Sequence, residues 1–129
     1  MAITEAYRQG GTGVPLILGT LTAAATASTV IDLRSQDDKY RFERVVFQYV
    51  IARIVTNVVV RVEGSLDNVN WFNIAEDDNT ITQLTDGTYA AAYYGLGEMN
   101  YIRLYWVSEA GGTAATIAVT AKVTERVAN

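Results

Sequence analysis

The chain predicts an all-β protein: a single antiparallel β-sandwich, jelly-roll-like, with an extended N-terminal arm. Three observations carry this expectation. Valine, threonine and tyrosine are abundant, and proline occurs once in 129 residues, a mixture that favours pleated structure. Apolar residues alternate with period two over several segments, as half-buried strands require. Turn residues separate those segments at short intervals, which is the pattern of a sandwich. The length fits one domain, with residues 1–28 as the arm and 29–129 as the sandwich.

The first eight residues, Met1 to Arg8, lack the basic start and apolar run of a secretory signal. Residues 9–31 carry no charge and are long enough on paper to cross a bilayer. Gly10, Gly11, Gly13, Pro15 and Gly19 interrupt that stretch, and its threonines and serines make it polar. It therefore reads as an extended arm holding an apolar knot of Val14, Leu16, Ile17, Leu18 and Leu21, and no membrane partner is expected.

Residues 41–55 are apolar on both faces from Val45 to Ile51, and the spacing of Val46, Val50 and Ile54 also permits a helix. The β-branched and aromatic content favours a strand covered on both sides. Thr56-Asn57 turns the chain into a hairpin over 58–74, with Val58, Val60 and Val62 on one face and Val59, Arg61 and Glu63 on the other. Its loop, Ser65 to Asn70, holds Asp and Asn residues suited to turn conformations. Residues 80–84 and 89–94 read as short strands between the loops at Glu76–Asn79 and Asp86-Gly87 and a bend at Gly95 and Gly97. In the last hairpin Ile102, Leu104 and Trp106 face one way, and Tyr101, Arg103, Tyr105 and Val107 the other. Gly111-Gly112 supplies the turn, and Ile117, Val119, Ala121 and Val123 return on the core side. Trp71 and Trp106 are both expected in the core.

Composition excludes much chemistry. There is no cysteine and no histidine, so thiolate sites, zinc–thiolate sites and imidazole bases are ruled out. A formal charge of −4 speaks against a nucleic-acid surface. Gly10-Gly11-Thr12-Gly13 lacks the spacing and lysine of a phosphate loop, and Gly95-Leu96-Gly97 lacks the third glycine of a dinucleotide fingerprint. Glu76, Asp77 and Asp78, with Asp67 nearby in sequence, offer hard oxygen ligands for calcium but not in EF-hand spacing, and a solvated acidic loop is the simpler reading. No pair of carboxylates is set for glycoside hydrolysis. Neither an enzyme nor a cofactor is expected.

What remains is a surplus of apolar residues, half of the composition. A sandwich core accounts for the 58–62 and 102–106 rows. It leaves over the arm, the 45–51 strand and the aromatic residues Tyr89, Tyr93, Tyr94, Tyr101 and Tyr105, with Arg103 among them. Large apolar patches mark contact sites, and tyrosine and arginine are enriched in interfaces. Arg outnumbers Lys by 8 to 2, which suits planar pairing across an interface. Tyr101, Arg103 and Tyr105 on one face also allow a stacking platform for a sugar.

The run Val60-Arg61-Val62-Glu63-Gly64-Ser65-Leu66-Asp67-Asn68-Val69-Asn70-Trp71-Phe72-Asn73-Ile74, followed by Tyr101-Ile102-Arg103-Leu104 and a Gly-Gly turn, resembles small β-sandwich structural proteins of tailed phages. It is less similar to discoidin-type modules, which are longer and often carry cysteine. An arm on a small sandwich is similar to capsid decoration, or cement, proteins. That resemblance implies a virion protein made in the host cytoplasm and bound on the outer capsid. It further implies a homo-oligomer, a trimer, that clamps neighbouring copies of the major capsid protein. A tail or fibre module binding host glycan is the alternative.

Overall fold

A computed structural model describes residues 3–5, 15–34, 40–74, 80–94 and 99–127. The described elements are strands: β1 (Ile3–Glu5), β2 (Leu16–Leu21), β3 (Val30–Asp32), β4 (Tyr40–Ala52), β5 (Asn57–Ser65), β6 (Phe72–Asn73), β7 (Ile81–Gln83), β8 (Gly87–Tyr94), β9 (Tyr101–Ala110) and β10 (Thr116–Val127). Among the described residues no helix is long and apolar enough to cross a membrane.

Two sheets form the sandwich. One has the order β2-β10-β4-β8; the other runs β1-β3-β9-β5-β6, with β7 also on β5. From β2 to β10 the chain passes back and forth between the sheets in the weave of a jelly roll. Pairing is antiparallel except where β1 joins β3 in parallel. The core between the sheets is built from alternate residues of long strands: Phe47, Tyr49 and Ile51 of β4, Val58 and Val60 of β5, Ile102, Leu104 and Trp106 of β9, and Ile117 and Val119 of β10.

Residues 41–55 form a strand as far as Ala52, fixed by pairing with β10 along nearly its whole length. It is not covered on both sides, however. Val45, Phe47, Tyr49 and Ile51 point inward, while Gln48 and Val50 are open to solvent and Val46 is half-buried. The turn into β5 lies at residues 53–56, where Arg53 takes a left-handed φ of 67°.

Two further expectations are corrected. The 101–107 and 117–123 segments are strands, but they are not a hairpin: β9 pairs with β3 and β5, and β10 with β2 and β4. Residues 111–115 cross from one sheet to the other, with Gly111 at φ 83°. Both strands bury one face in the same core, so they oppose each other across it. The arm does not stand apart either, because Ile3–Glu5 already pairs with β3 in the six-stranded sheet. Leu16–Leu21 is an edge strand of the four-stranded sheet, and Leu16, Leu18 and Leu21 are buried in the chain's own core. Residues 26–32 then run along β9, through Trp106 N–H to the Thr26 carbonyl at 2.7 Å and Leu104 N–H to Ser28 Oγ at 2.9 Å.

Candidate functional site

The sandwich has two outward faces, and their chemistry differs. On the six-stranded sheet, strand register sets Glu63 opposite Arg103, Arg61 opposite Tyr105, and Tyr101 between Ser65 and Asp32. Glu63 is 1% exposed, and each of its carboxylate oxygens takes one arginine. Arg103 donates from Nε at 2.8 Å and from Nη2 at 2.7 Å to Oε1; Arg61 donates from Nε at 2.8 Å and from Nη2 at 2.6 Å to Oε2. The Arg103 guanidinium lies 3.9 Å from the Trp71 ring centroid and 5.0 Å from that of Tyr105. Next to it, Arg34 binds Asp32 through both Nε and Nη2 and sits 5.0 Å from the Tyr101 ring.

This arrangement places the expected contact residues differently from the sequence reading. Tyr101 and Arg103 are 8% and 7% exposed, because the sheet's own charges and Trp71 close over them. Tyr105 is half-buried with two guanidinium groups against its ring. The three therefore form a closed stack, where an open sugar platform needs free ring faces. Trp71 is not a core residue, unlike Trp106; it is the lid on Arg103. Sequence reading missed Glu63 as the hub. The parity of Arg61 and Glu63 was visible, but that β9 lies beside β5 was not.

The loop after β5 is closed in the same internal way. Ser65 Oγ accepts N–H bonds from Asp67 and Asn68, and Asp67 accepts the N–H groups of Val69 and Asn70. Those backbone donors, Asn70 first, hold the Asp67 carboxyl well below the usual carboxylate range. Asn68 takes the left-handed φ of 61° that the turn needs. Asp67 thus spends its oxygens on its own loop. Among the described residues no group of three or more acidic side chains gathers as metal ligands; Glu76, Asp77 and Asp78, like Gly10–Gly13, Gly95 and Gly97, lie outside the described residues.

The four-stranded sheet has the opposite character. Register places Thr20, Ala118, Val50 and Thr88 in one row across its outward face, and Ile17, Thr120, Gln48 and Ala90 in the next. Those two rows hold no charge. Lys122 and Arg44 stand in the lower rows, with Arg44 4.9 Å from the Tyr94 ring centroid. Ile17 is 84% exposed, Tyr94 63% and Val50 42%. Of the arm's apolar knot only Ile17 faces out; Val14 lies outside the described residues.

At the β8 edge the sandwich opens into a cleft of about 400 Å³ between Ala91 and Tyr93 on one side and Val62, Ile74, Ile81 and Thr82 on the other. Tyr93 is half-buried there. Tyr89, also half-buried, packs on Tyr49 with ring centroids 5.7 Å apart and donates its hydroxyl to the Thr85 carbonyl. Burial raises the Tyr49 phenol above its ordinary value, opposed in part by the hydrogen bond that Gln83 donates to it.

No protein-family model matches the chain, and no curated protein matches it. A solved structure with some likeness is the tobacco streak virus coat protein dimer, at 8% identity and a TM-score of 0.47, covering 90% of this chain and 87% of that one.

Proposed function

We propose that this chain is a virion structural protein, a capsid decoration protein that binds the major capsid protein on the outer shell and assembles as a homo-oligomer. The observation that carries the reading is the outward face of the four-stranded sheet. Its two uncharged rows are built from Gln48 and from small and β-branched side chains, and expose Ile17 and Val50. Covering such a face costs no charge desolvation, and each Å² of apolar area contributes roughly 25 cal/mol before association costs. Jelly rolls recur in viral capsids and in lectins alike, so the fold is compatible with this role without assigning it.

Both β1 and β2 belong to the sandwich, so neither is a free docking arm. Removing residues 1–28 would strip Leu16, Leu18 and Leu21 from the core, so a docking test must leave β2 in place. The direct test is co-sedimentation with shells of the major capsid protein. Val50→Glu and Ile17→Glu, both on exposed positions, should leave the melting temperature within a few degrees and lower shell affinity at least tenfold. Unchanged affinity with both variants folded would refute this face as the contact.

A further inference from the structure

The four open edges of the two sheets are not alike. Natural sheets protect their edges with short strands, charges, proline or bulges, because an open edge offers unpaired N–H and C=O groups to any other strand. At the six-stranded sheet the edge strands β1, β6 and β7 are two or three residues long. At the other sheet β2 carries a register shift against β10, beside Gly19 at φ 91°. β8 has none of these devices. It runs for eight residues, Gly-Thr-Tyr-Ala-Ala-Ala-Tyr-Tyr, with no charge, no proline and an unbroken register against β4. Among the described residues nothing pairs with its other side.

The β8 sequence is also its own complement. Tyr89-Ala90-Ala91-Ala92-Tyr93 reads the same in both directions about Ala91. An antiparallel copy on a two-fold axis through Ala91, perpendicular to the sheet, sets Tyr89 against Tyr93 of the partner subunit and Ala90 against Ala92 of the partner subunit. It keeps Tyr89, Ala91 and Tyr93 on the inner side and Thr88, Ala90, Ala92 and Tyr94 on the outer side, as the register with β4 already has them. Cross-strand aromatic pairs are favourable, and an uncharged strand meets no like charge across the axis. The three alanines leave the backbone open to close approach. Tyr93, at the mouth of the cleft, would meet a tyrosine ring of the second copy there.

We infer that β8 is a homodimerisation edge: two copies pair through it, antiparallel about Ala91, into one continuous eight-stranded sheet. The inference rests on the self-association in the proposed function and names its surface, as a two-fold pair in place of the trimer that the resemblance implies. The test is solution mass by sedimentation velocity over a wide concentration range. The wild-type chain should give a dimer. A90K/A92K puts lysines directly across the axis on the exposed side and should raise the dissociation constant at least tenfold. A90E/A92K puts opposite charges across it and should restore the dimer, with all three proteins melting within a few degrees of one another. A monomer at every concentration, a trimer, or a dimer indifferent to A90K/A92K would overturn the inference. If shell co-sedimentation persists in that case, the capsid-binding reading survives on its own.

Discussion

Glu63→Gln tests the idea that the face of the six-stranded sheet is closed by one buried carboxylate. The substitution keeps the side chain's shape and removes its charge. Glu63 answers two guanidinium groups, but not equally, since the side chain of Arg61 is 31% exposed and that of Arg103 only 9%. Arg61 can turn to water when its partner goes; Arg103, held between β5, Trp71 and Tyr105, cannot. Breaking a buried pair from one side costs about 3–5 kcal/mol, and the release of Arg61 puts this case near the lower figure. Unfolding entropy of about 2.1 cal/mol/K per residue gives about 0.27 kcal/mol/K for this chain, so about 3 kcal/mol lowers the melting temperature by about 11 °C. Circular dichroism at neutral pH reads that shift, and urea titration checks it. Arg61→Met should cost only about 1 kcal/mol, within the range of exposed pairs, and Arg103→Met clearly more. A Glu63→Gln shift below about 3 °C, or equal costs for the two arginine variants, would show that the cluster is not closed as described.

Two further predictions concern the end of β5 and the loop that follows it. Backbone donors depress Asp67, so its contribution is complete above the ordinary carboxylate range and is lost only as pH falls below that range. Carbon-detected titration should find Asp67 still ionised where freely solvated aspartates have taken up their protons, and a midpoint near 3.9, the usual value, would refute the hydrogen-bonded loop. Gly64→Ala should destabilise by about 1–3 kcal/mol through overpacking, because its methyl would fall 2.5 Å from Ile74 Cγ2 and 2.7 Å from Met99 Sδ. A melting temperature equal to wild type would show that Ile74 and Met99 yield freely.

Strand existence was readable from the sequence because alternation is local; strand neighbourhood was not, because pairing is not. Ile102, Leu104 and Trp106 look the same to a pattern search whether β10 lies beside them or across the core. The same limit hid the hub of the charged cluster, since Glu63 and Arg103 meet across 40 positions. At β2 the reason was different. Leu16 and Leu18 alternate, but Leu21 follows at a spacing of three, and the irregularity at Gly19 returns it to the inner side. A bulge breaks period two, so a core strand read as a loose arm. The β4 residues Val46 and Val50 misled in the opposite direction: their apolar character belongs to an outward face that this chain leaves open.

That open face and the β8 edge bear on each other. A two-fold axis perpendicular to the sheet brings the outward faces of both copies to the same side. Thr88 would meet Tyr94 of the partner subunit, in the row that holds an arginine, and Ala90 would meet Ala92 of the partner subunit, in the row that holds a lysine, so the two uncharged patches lie diagonally across the axis. A partner surface could then be engaged by two patches held at a fixed spacing, and the second contact would form at high effective concentration without any new chemistry. Pairing through the β2 edge would meet a bulge first, and pairing across the six-stranded face would cover side chains whose charges are already satisfied within the chain. The apolar residues that the core does not use are therefore best placed for contact when the chain acts as a pair, with β8 setting the geometry and Ile17 and Val50 lying on the surface that the pair presents.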